Sequence, residues 1–346
     1  MTRATQASPL LHRRATIKDV ALAADVSRST ASRALSGNGY VAEDVRERVR
    51  EVARSIGYVP DAAAQYLRRR VSNVVGLMVT DLTNPFYAEL AAGAMQQARR
   101  RGYTVILADG GAEDPDESNA AQAFVEMRAA GVILTPVSAE AGEYLTGHGL
   151  VTVEVDRQFA EGVADAVVVD NVDGASRVTA RLIELGHVRI ALVIDETHWT
   201  TGRDRYAGYR AAFEAAGLAL DPGLVVASGL DVDHARARSR ELLSGPDRPT
   251  AVFAANSVLA EGVWRAATDV GLRIPEDLSL VSFDDAPWMS LVSPGVTAVA
   301  QDVSAIGATA VDVLLERIAQ PAAPAQTVVV PAEVVRRGST APPPQR

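Results

Sequence analysis

The 346-residue chain has no cysteine, which excludes a disulfide framework, a cysteine-ligated metal site and a thiol nucleophile. No apolar run approaches the roughly 18 residues that a membrane-spanning helix needs, so no membrane association is expected. Met1–Arg14 lacks the apolar stretch of about 7–15 residues that a secretory signal would carry. A cytoplasmic location is therefore the expectation, although a lack of cysteine would also suit the periplasm. Also missing are a glycine-rich phosphate loop, a GxSxG nucleophile elbow and a histidine pair at metal-ligand spacing. The five histidines (His12, His148, His187, His198 and His234) are scattered. His187 reads as a turn residue between a helix and a strand. Asp231-Val232-Asp233-His234 reads as the carboxylate-rich start of a helix rather than a metal cluster. No enzyme, metal or cofactor is expected.

What is present is ordinary globular material, 48% hydrophobic and 22% charged, in a length that suits two or three domains. Charge is distributed unevenly. Residues 1–70 hold 13 Lys and Arg against 7 Asp and Glu, a net of +6, while the remainder holds 21 against 36, a net of −15. A small basic head on a large acidic body is the asymmetry expected when one part alone meets phosphate.

After an unpatterned tail, Ile17, Val20, Ala21 and Ala24 share one helical face behind Thr16, whose hydroxyl can cap the first turn. Asp25-Val26 makes a turn, Ser27 caps a second helix over Arg28–Leu35, and Ser36-Gly37-Asn38-Gly39 ends it. A third helix runs from Glu43 to Ile56, with Val45, Val49, Val52, Ala53 and Ile56 on one stripe and Gly57 just beyond it. Two short helices around a tight turn, braced by a third, describe a helix-turn-helix. Arg28, Ser29, Thr30, Ser32 and Arg33 give the second helix a short, polar, basic face that can enter a major groove. A solvated surface helix is the plainer alternative.

The run Ala15-Thr16-Ile17-Lys18-Asp19-Val20-Ala21, then Val26 to Ser36, then Val41 and Gly57-Tyr58-Val59-Pro60, resembles the head of the LacI/GalR family of transcription regulators. The resemblance implies that Arg28 and Ser29 choose bases, with Thr16, Ser27, Thr30, Ser32, Arg33, Asn38 and Tyr58 completing the DNA contacts. Ala42 departs from it, standing where the family has a capping Ser. Pro60 to Arg70 contains about two turns of helix-competent sequence, too short to be stable alone. By composition it reads as a linker with a basic end. The resemblance makes it a hinge helix pairing with its dimer mate in the minor groove, with Leu67 as wedge and Ala64 as the small residue of close approach.

From Val71 onward, strand-like apolar runs alternate with amphipathic helices. Val74–Val79, Thr104–Ala108, Gly131–Thr135, Val151–Val155 and Ala166–Val169 form one series of strands. Val188–Ile194, Leu224–Ala227, Ala251–Ala254, Leu278–Ser282 and Val296–Val299 form another. Such alternation predicts an α/β fold of parallel sheets flanked by helices, in two lobes, with a ligand between them at the carboxyl ends of the strands. Polar and aromatic residues fall just after those strands: Asp81 to Tyr87, Asp156-Arg157, Trp199 to Arg205, Asn256, and Asp284-Asp285. Paired hydrogen bonds from Asp, Asn and Arg, together with stacking aromatics, suit a small polyol.

The body is similar to periplasmic sugar-binding proteins and to the LacI/GalR effector core. That similarity implies an effector site of Asn84, Phe86, Asp156, Trp199, Thr201, Arg205, Asn256, Asp284 and Gln301, with Gln301-Asp302 and Gly307 opening a helix that crosses back to the first lobe. Ser257 stands where the family's Asn-Asp pair has Asp, and Asp231 where some members have an aromatic stacker. The expected division is a tail at 1–14, a helix-turn-helix at 15–59, a hinge at 60–70, a core at 71–340 and a tail at 341–346. Lobe 1 would take 71–170 and 300–326, and lobe 2 171–299 and 327–340. The expected function is that of a homodimeric repressor on a pseudo-palindromic operator, controlled by a carbohydrate effector. A dimer rather than a tetramer is expected, because the proline-rich chain end carries no leucine heptads. The alternative is a solute-binding protein for carbohydrate uptake, which residues 15–70 argue against. A glycosidase built on Asp284 and Asp285 is disfavoured, because adjacent carboxylates in one loop lack the required opposed geometry.

Overall fold

The computed structural model describes residues 15–37, 39–58, 72–111, 117–159, 161–195 and 197–345. Its contacts divide the chain into two units, Met1–Ser72 and Asn73–Arg346.

The first unit contains α1 (Ile17–Ala23), α2 (Arg28–Ser36) and α3 (Glu43–Ser55) around a small core of Val20, Ala21, Ala24, Ala31, Ala34, Val41, Val49 and Ala53. Thr16 and Asp19 form a capping box, with the Asp19 carboxylate accepting from both the Thr16 N–H and its hydroxyl at 2.7 Å. The Thr16 hydroxyl, expected to accept from the first turn, thus also donates to Asp19. Ser27 Oγ caps α2 by accepting from the Thr30 N–H at 3.1 Å. Ala42 makes no side-chain cap at α3, and Gly57 ends that region with a φ of 65° that glycine adopts without strain.

The second unit has two six-stranded sheets. Lobe 1 is built from β1 (Val74–Val79), α4 (Pro85–Arg100), β2 (Thr104–Asp109), α5 (Glu117–Glu126), β3 (Gly131–Leu134), α6 (Glu140–Gly147), β4 (Val151–Val155) and β5 (Asp165–Val169). Lobe 2 follows with α7 (Asn171–Glu184), β6 (Ile190–Ile194), α8 (Thr200–Ala215), β7 (Val225–Ala227), α9 (Val232–Ser244), β8 (Ala251–Ala254), α10 (Ser257–Asp269), β9 (Ser279–Phe283) and β10 (Thr297–Gln301). The chain returns to lobe 1 through α11 (Val303–Ala319) and β11 (Thr327–Val330), then to lobe 2 through β12 (Ala332–Val335). The sheet orders are β11-β5-β4-β3-β1-β2 and β12-β10-β9-β8-β6-β7. Among the described residues every pairing is parallel except that of β12 with β10. Strands buried on both faces, such as Ile190–Ile194, are continuously apolar because helices cover each side.

The lobe division differs from the expectation in two places. Thr327–Val330 pairs with β5 in the first sheet rather than belonging to lobe 2, and Ala300-Gln301 end a strand of the second sheet rather than opening lobe 1. The chain therefore changes lobe three times, near Asp170, Asp302 and Pro331. Pro331 separates two half-exposed edge strands whose burial pattern resembles a loop, which is why neither joins the strand series. Ala341 is not part of a loose tail either: its N–H donates to Ser279 Oγ at 3.0 Å and its carbonyl accepts from His187 Nε2 at 2.8 Å. Among the described residues no helix is long and apolar enough to cross a membrane.

Candidate functional site

Two surfaces carry the residues singled out above. In the first unit, Ala31 and Ala34 bury one side of α2 completely, leaving Arg28, Ser29 and Arg33 exposed and Thr30 and Ser32 half-buried. Ser27, Ser29 and Thr30 hydroxyls share hydrogen bonds at 2.8 Å, which fixes the first turn. Arg33 Nε donates to the Ser29 carbonyl at 3.3 Å, laying its stem along the helix. Arg28 is left as the long cation at the exposed start. Tyr58 is half-buried against the three-helix core and lines a shallow hollow with Leu35, Arg50, Ala53 and Arg54. Asn38, Ala64 and Leu67 lie outside the described residues.

In the second unit, a cleft between the lobes is lined by Asn84, Phe86, Tyr87, Asp156, Arg157, Asp195, Thr201, Arg205, Leu230, Asn256 and Asp284. This is the carboxyl end of both sheets: Asp156 follows β4, Asp195 follows β6 and Asp284 follows β9. Asn84 caps α4, its Oδ1 accepting from the Phe86 N–H at 3.0 Å. Asn256 caps α10 through the Leu259 N–H at 2.9 Å and turns its amide to Asp195 at 3.3 Å.

Seven of the nine expected effector residues thus line one cavity. Gln301 and Trp199 do not; both brace residues that do. Gln301 Nε2 donates to Asp284 Oδ1, and the Trp199 ring lies 3.9 Å from the Arg157 guanidinium carbon. Tyr87, Arg157, Asp195 and Leu230 also line the cavity without standing among the nine. Tyr87 and Arg157 fall within the polar stretches already noted, and Asp195 carries the same signal as Asp156 and Asp284, a carboxylate immediately after a buried strand.

Both arginines are nearly inaccessible, Arg157 at 3% and Arg205 at 5% exposure, so their charges need partners. Arg157 donates to the Tyr87 hydroxyl at 2.7 Å and to Thr80 Oγ1 at 3.3 Å. Its Nε, 3.7 Å from Asp156, is buried with no hydrogen-bond partner among the described residues. Arg205 donates to Asn171 Oδ1 at 2.9 Å and to the Ala255 carbonyl at 2.6 Å, sits 3.7 Å from Asp284, and stacks 3.9 Å from the Phe283 ring. Burial pushes the Asp284 carboxyl up to about 6 against the pull of Arg205, with Asp156 adding to the rise. Burial likewise raises Asp156 and the Tyr87 phenol. It works against the charge on Arg157, but the surrounding Tyr87, Asp156, Asp195 and Glu117 outweigh it and hold the guanidinium protonated. Three carboxylates against two committed guanidiniums suit a ligand rich in hydroxyl donors.

The chain matches two family models: "Bacterial regulatory proteins, lacI family" over residues 16–61 and "Periplasmic binding protein-like domain" over residues 179–340. It is 32% identical over 328 residues to the ribose operon repressor of Escherichia coli (strain K12), covering 94% of this chain and 99% of that one. Among solved structures it is similar to a LacI family transcriptional regulator from Enterococcus faecium with bound ribose, at 29% identity and a TM-score of 0.70 over 78% of this chain and 99% of that one. It also shares the fold of the lac repressor dimer bound to operator and an anti-inducer, at 24% identity and a TM-score of 0.85 over 95% of this chain and 100% of that one.

Proposed function

The chain belongs to the lacI family of bacterial regulatory proteins, and from that premise we propose that it is a repressor whose cleft takes a neutral, unphosphorylated monosaccharide. Two heads of a homodimer read the half-sites of a pseudo-palindromic operator in the bacterial cytoplasm. Residues 15–59 form the reading head, with Arg28 and Ser29 on the base edges, and residues 60–70 the hinge, with Leu67 as wedge. The lacI-family match at residues 16–61 is what separates this reading from a transport binding protein of similar core.

The observation that carries the effector class is the convergence of Asp156, Asp195 and Asp284 with Arg157 and Arg205 at the strand ends. A sugar hydroxyl can donate to each carboxylate. A phosphate ester would meet three carboxylates with both guanidiniums already engaged, so phosphorylation should be rejected. Ribose, which the Enterococcus faecium relative binds, is the first probe. The cleft binds its ligand without turning it over. Closure of the lobes around it biases the hinge, and a coupling of about 1–3 kcal/mol would change operator affinity roughly 5–150-fold.

Calorimetry on the full-length protein tests this. D-ribose should bind once per chain, D-ribose 5-phosphate at least about 100-fold more weakly, and Arg205→Ala should lose both. Absence of binding by D-ribose and by a panel of neutral pentoses and hexoses, or tighter binding of the phosphate ester, would contradict the reading.

A further inference from the structure

Beyond the residues that line the cleft, a second set joins the lobes beside it. Trp199 precedes α8 of lobe 2, yet its indole Nε1 donates to the Val137 carbonyl of lobe 1 at 3.3 Å and its ring packs on Arg157 of lobe 1 at 3.9 Å. The next residue continues the junction: Thr200 Oγ1 accepts from the Gln158 N–H of lobe 1 at 3.0 Å. The turn that receives the indole is itself fixed. Glu117, buried at the start of α5, accepts from the Val137 N–H at 3.0 Å through Oε1 and from the Ser138 hydroxyl at 3.3 Å through Oε2. A carboxylate withdrawn from water and turned onto one peptide turn is costly unless that turn is held in place. Burial raises its pKa, while the Val137 and Ser138 hydrogen bonds and then Arg157 act against the rise.

These contacts make a continuous path, Glu117 to the Val137-Ser138 turn, to the Trp199 indole, to Arg157, which also lines the cavity. We propose that Trp199 and Glu117 are positioning residues that latch the lobes shut over the effector and set how slowly it leaves, without touching it. The inference rests on the effector reading of the cleft for its kinetic consequence, but the latch itself is a property of the lobes. Because Thr201 and Arg205 lie on the helix that Trp199 begins, releasing the indole frees the end of α8 that carries two lining residues.

Hydrogen exchange by mass spectrometry and stopped-flow D-ribose binding, both on the full-length protein, test the latch. Trp199→Phe keeps an aromatic face for Arg157 and removes the N–H donor together with part of the ring area. It should speed exchange in the segments around 137, 158 and 200 and raise the D-ribose dissociation rate about threefold to tenfold, with the association rate and the midpoint of unfolding nearly unchanged. Trp199→Ala, which also removes the stacking, should raise the dissociation rate further. Glu117→Ala should behave like Trp199→Phe, while Glu117→Gln, which keeps an acceptor for the Val137 N–H, should restore slow dissociation. Unchanged exchange at those segments in both Trp199→Phe and Glu117→Ala would overturn the proposal, as would a Glu117→Gln variant as fast as Glu117→Ala. If neither wild type nor variant binds D-ribose or any neutral pentose or hexose of the panel, the sugar reading fails, and the exchange comparison alone decides the latch.

Discussion

Asp156 and Asp284 occupy matching places in the two lobes. Each is the first residue after the third strand in its sheet order, β4 or β9, and each has a left-handed backbone, with φ of 67° and 65°. Asp tolerates this conformation better than most residues, but holding it still costs energy that the surrounding structure must offset. The turn places both carboxylates in one cleft, where Asp156 raises the proton affinity of Asp284 and Asp195 raises that of Asp156.

That arrangement predicts a pH-dependent effector affinity. With the Asp284 carboxyl at about 6, the ligand-free cleft takes up a proton as pH falls through that value. A sugar hydroxyl that donates to Asp284 needs the carboxylate, so binding below pH 6 must expel the proton. Affinity for D-ribose should be flat above about pH 7 and fall roughly tenfold per unit well below 6. Asp284→Asn should bind more weakly at neutral pH and lose most of that slope, as read by calorimetry in buffers of different protonation enthalpy.

Arg205 ties the cleft to a lobe crossing, since its Nε bond to Asn171 reaches the first residue after Asp170. Arg205→Ala leaves Asn171 without that donor and Asp284 without its ion pair. It should destabilise the core by roughly 2–4 kcal/mol and abolish the effector response while operator binding persists. Thermal unfolding and operator retention with and without D-ribose check the two halves separately.

Arg28 is the long cation at the exposed start of α2, free of the stem-to-backbone bond that ties down Arg33. Arg28→Ala should relax base choice at one half-site position by about 1–3 kcal/mol. Arg33→Ala should weaken binding more evenly across sequences. Selection from a randomised operator library distinguishes the two, and an unchanged preference in Arg28→Ala would remove it from the reading face.

Much of this architecture was legible before the structure. Fully buried strands such as Ile190–Ile194 announce themselves as apolar runs, and α2 begins and ends where Ser27 and Gly37 place it. The carboxylates after β4 and β9 could be found because a polar residue directly behind a buried strand marks the sheet's functional edge. Less legible were contacts made between distant segments. Glu117 meets Val137 across 20 positions and Trp199 meets Val137 across 62, so neither partner is implied by local spacing. The edge strands Thr327–Val330 and Ala332–Val335 were hidden by half-exposure and by Pro331 between them.

His187 predicts an acid-labile element remote from the cleft. Its ring is 1% exposed, sharing hydrogen bonds with Thr250 at 2.8 Å and Ser279 at 3.1 Å while Nε2 donates to Ala341. Burial lowers its pKa from 6.5. The unfolded chain therefore takes up a proton that the native one refuses as pH falls through 6.5, and stability is lost in that window. Asp284 acts in the opposite direction below 6, so the comparison must be made against a variant. His187→Gln should melt lower at pH 8 yet show a shallower loss between pH 7 and 5.5, as measured by calorimetric unfolding.

On the proposed function, a basic head grips DNA selectively and a sugar in the acidic core governs that grip. The direct test is retention of genomic fragments by the full-length protein across a salt series, with and without D-ribose. Expected are enrichment of fragments sharing one near-palindromic site, affinity falling steeply with salt, and a change of at least fivefold on adding the sugar. Retention without sequence preference, or a selective retention that no neutral sugar alters, would contradict it.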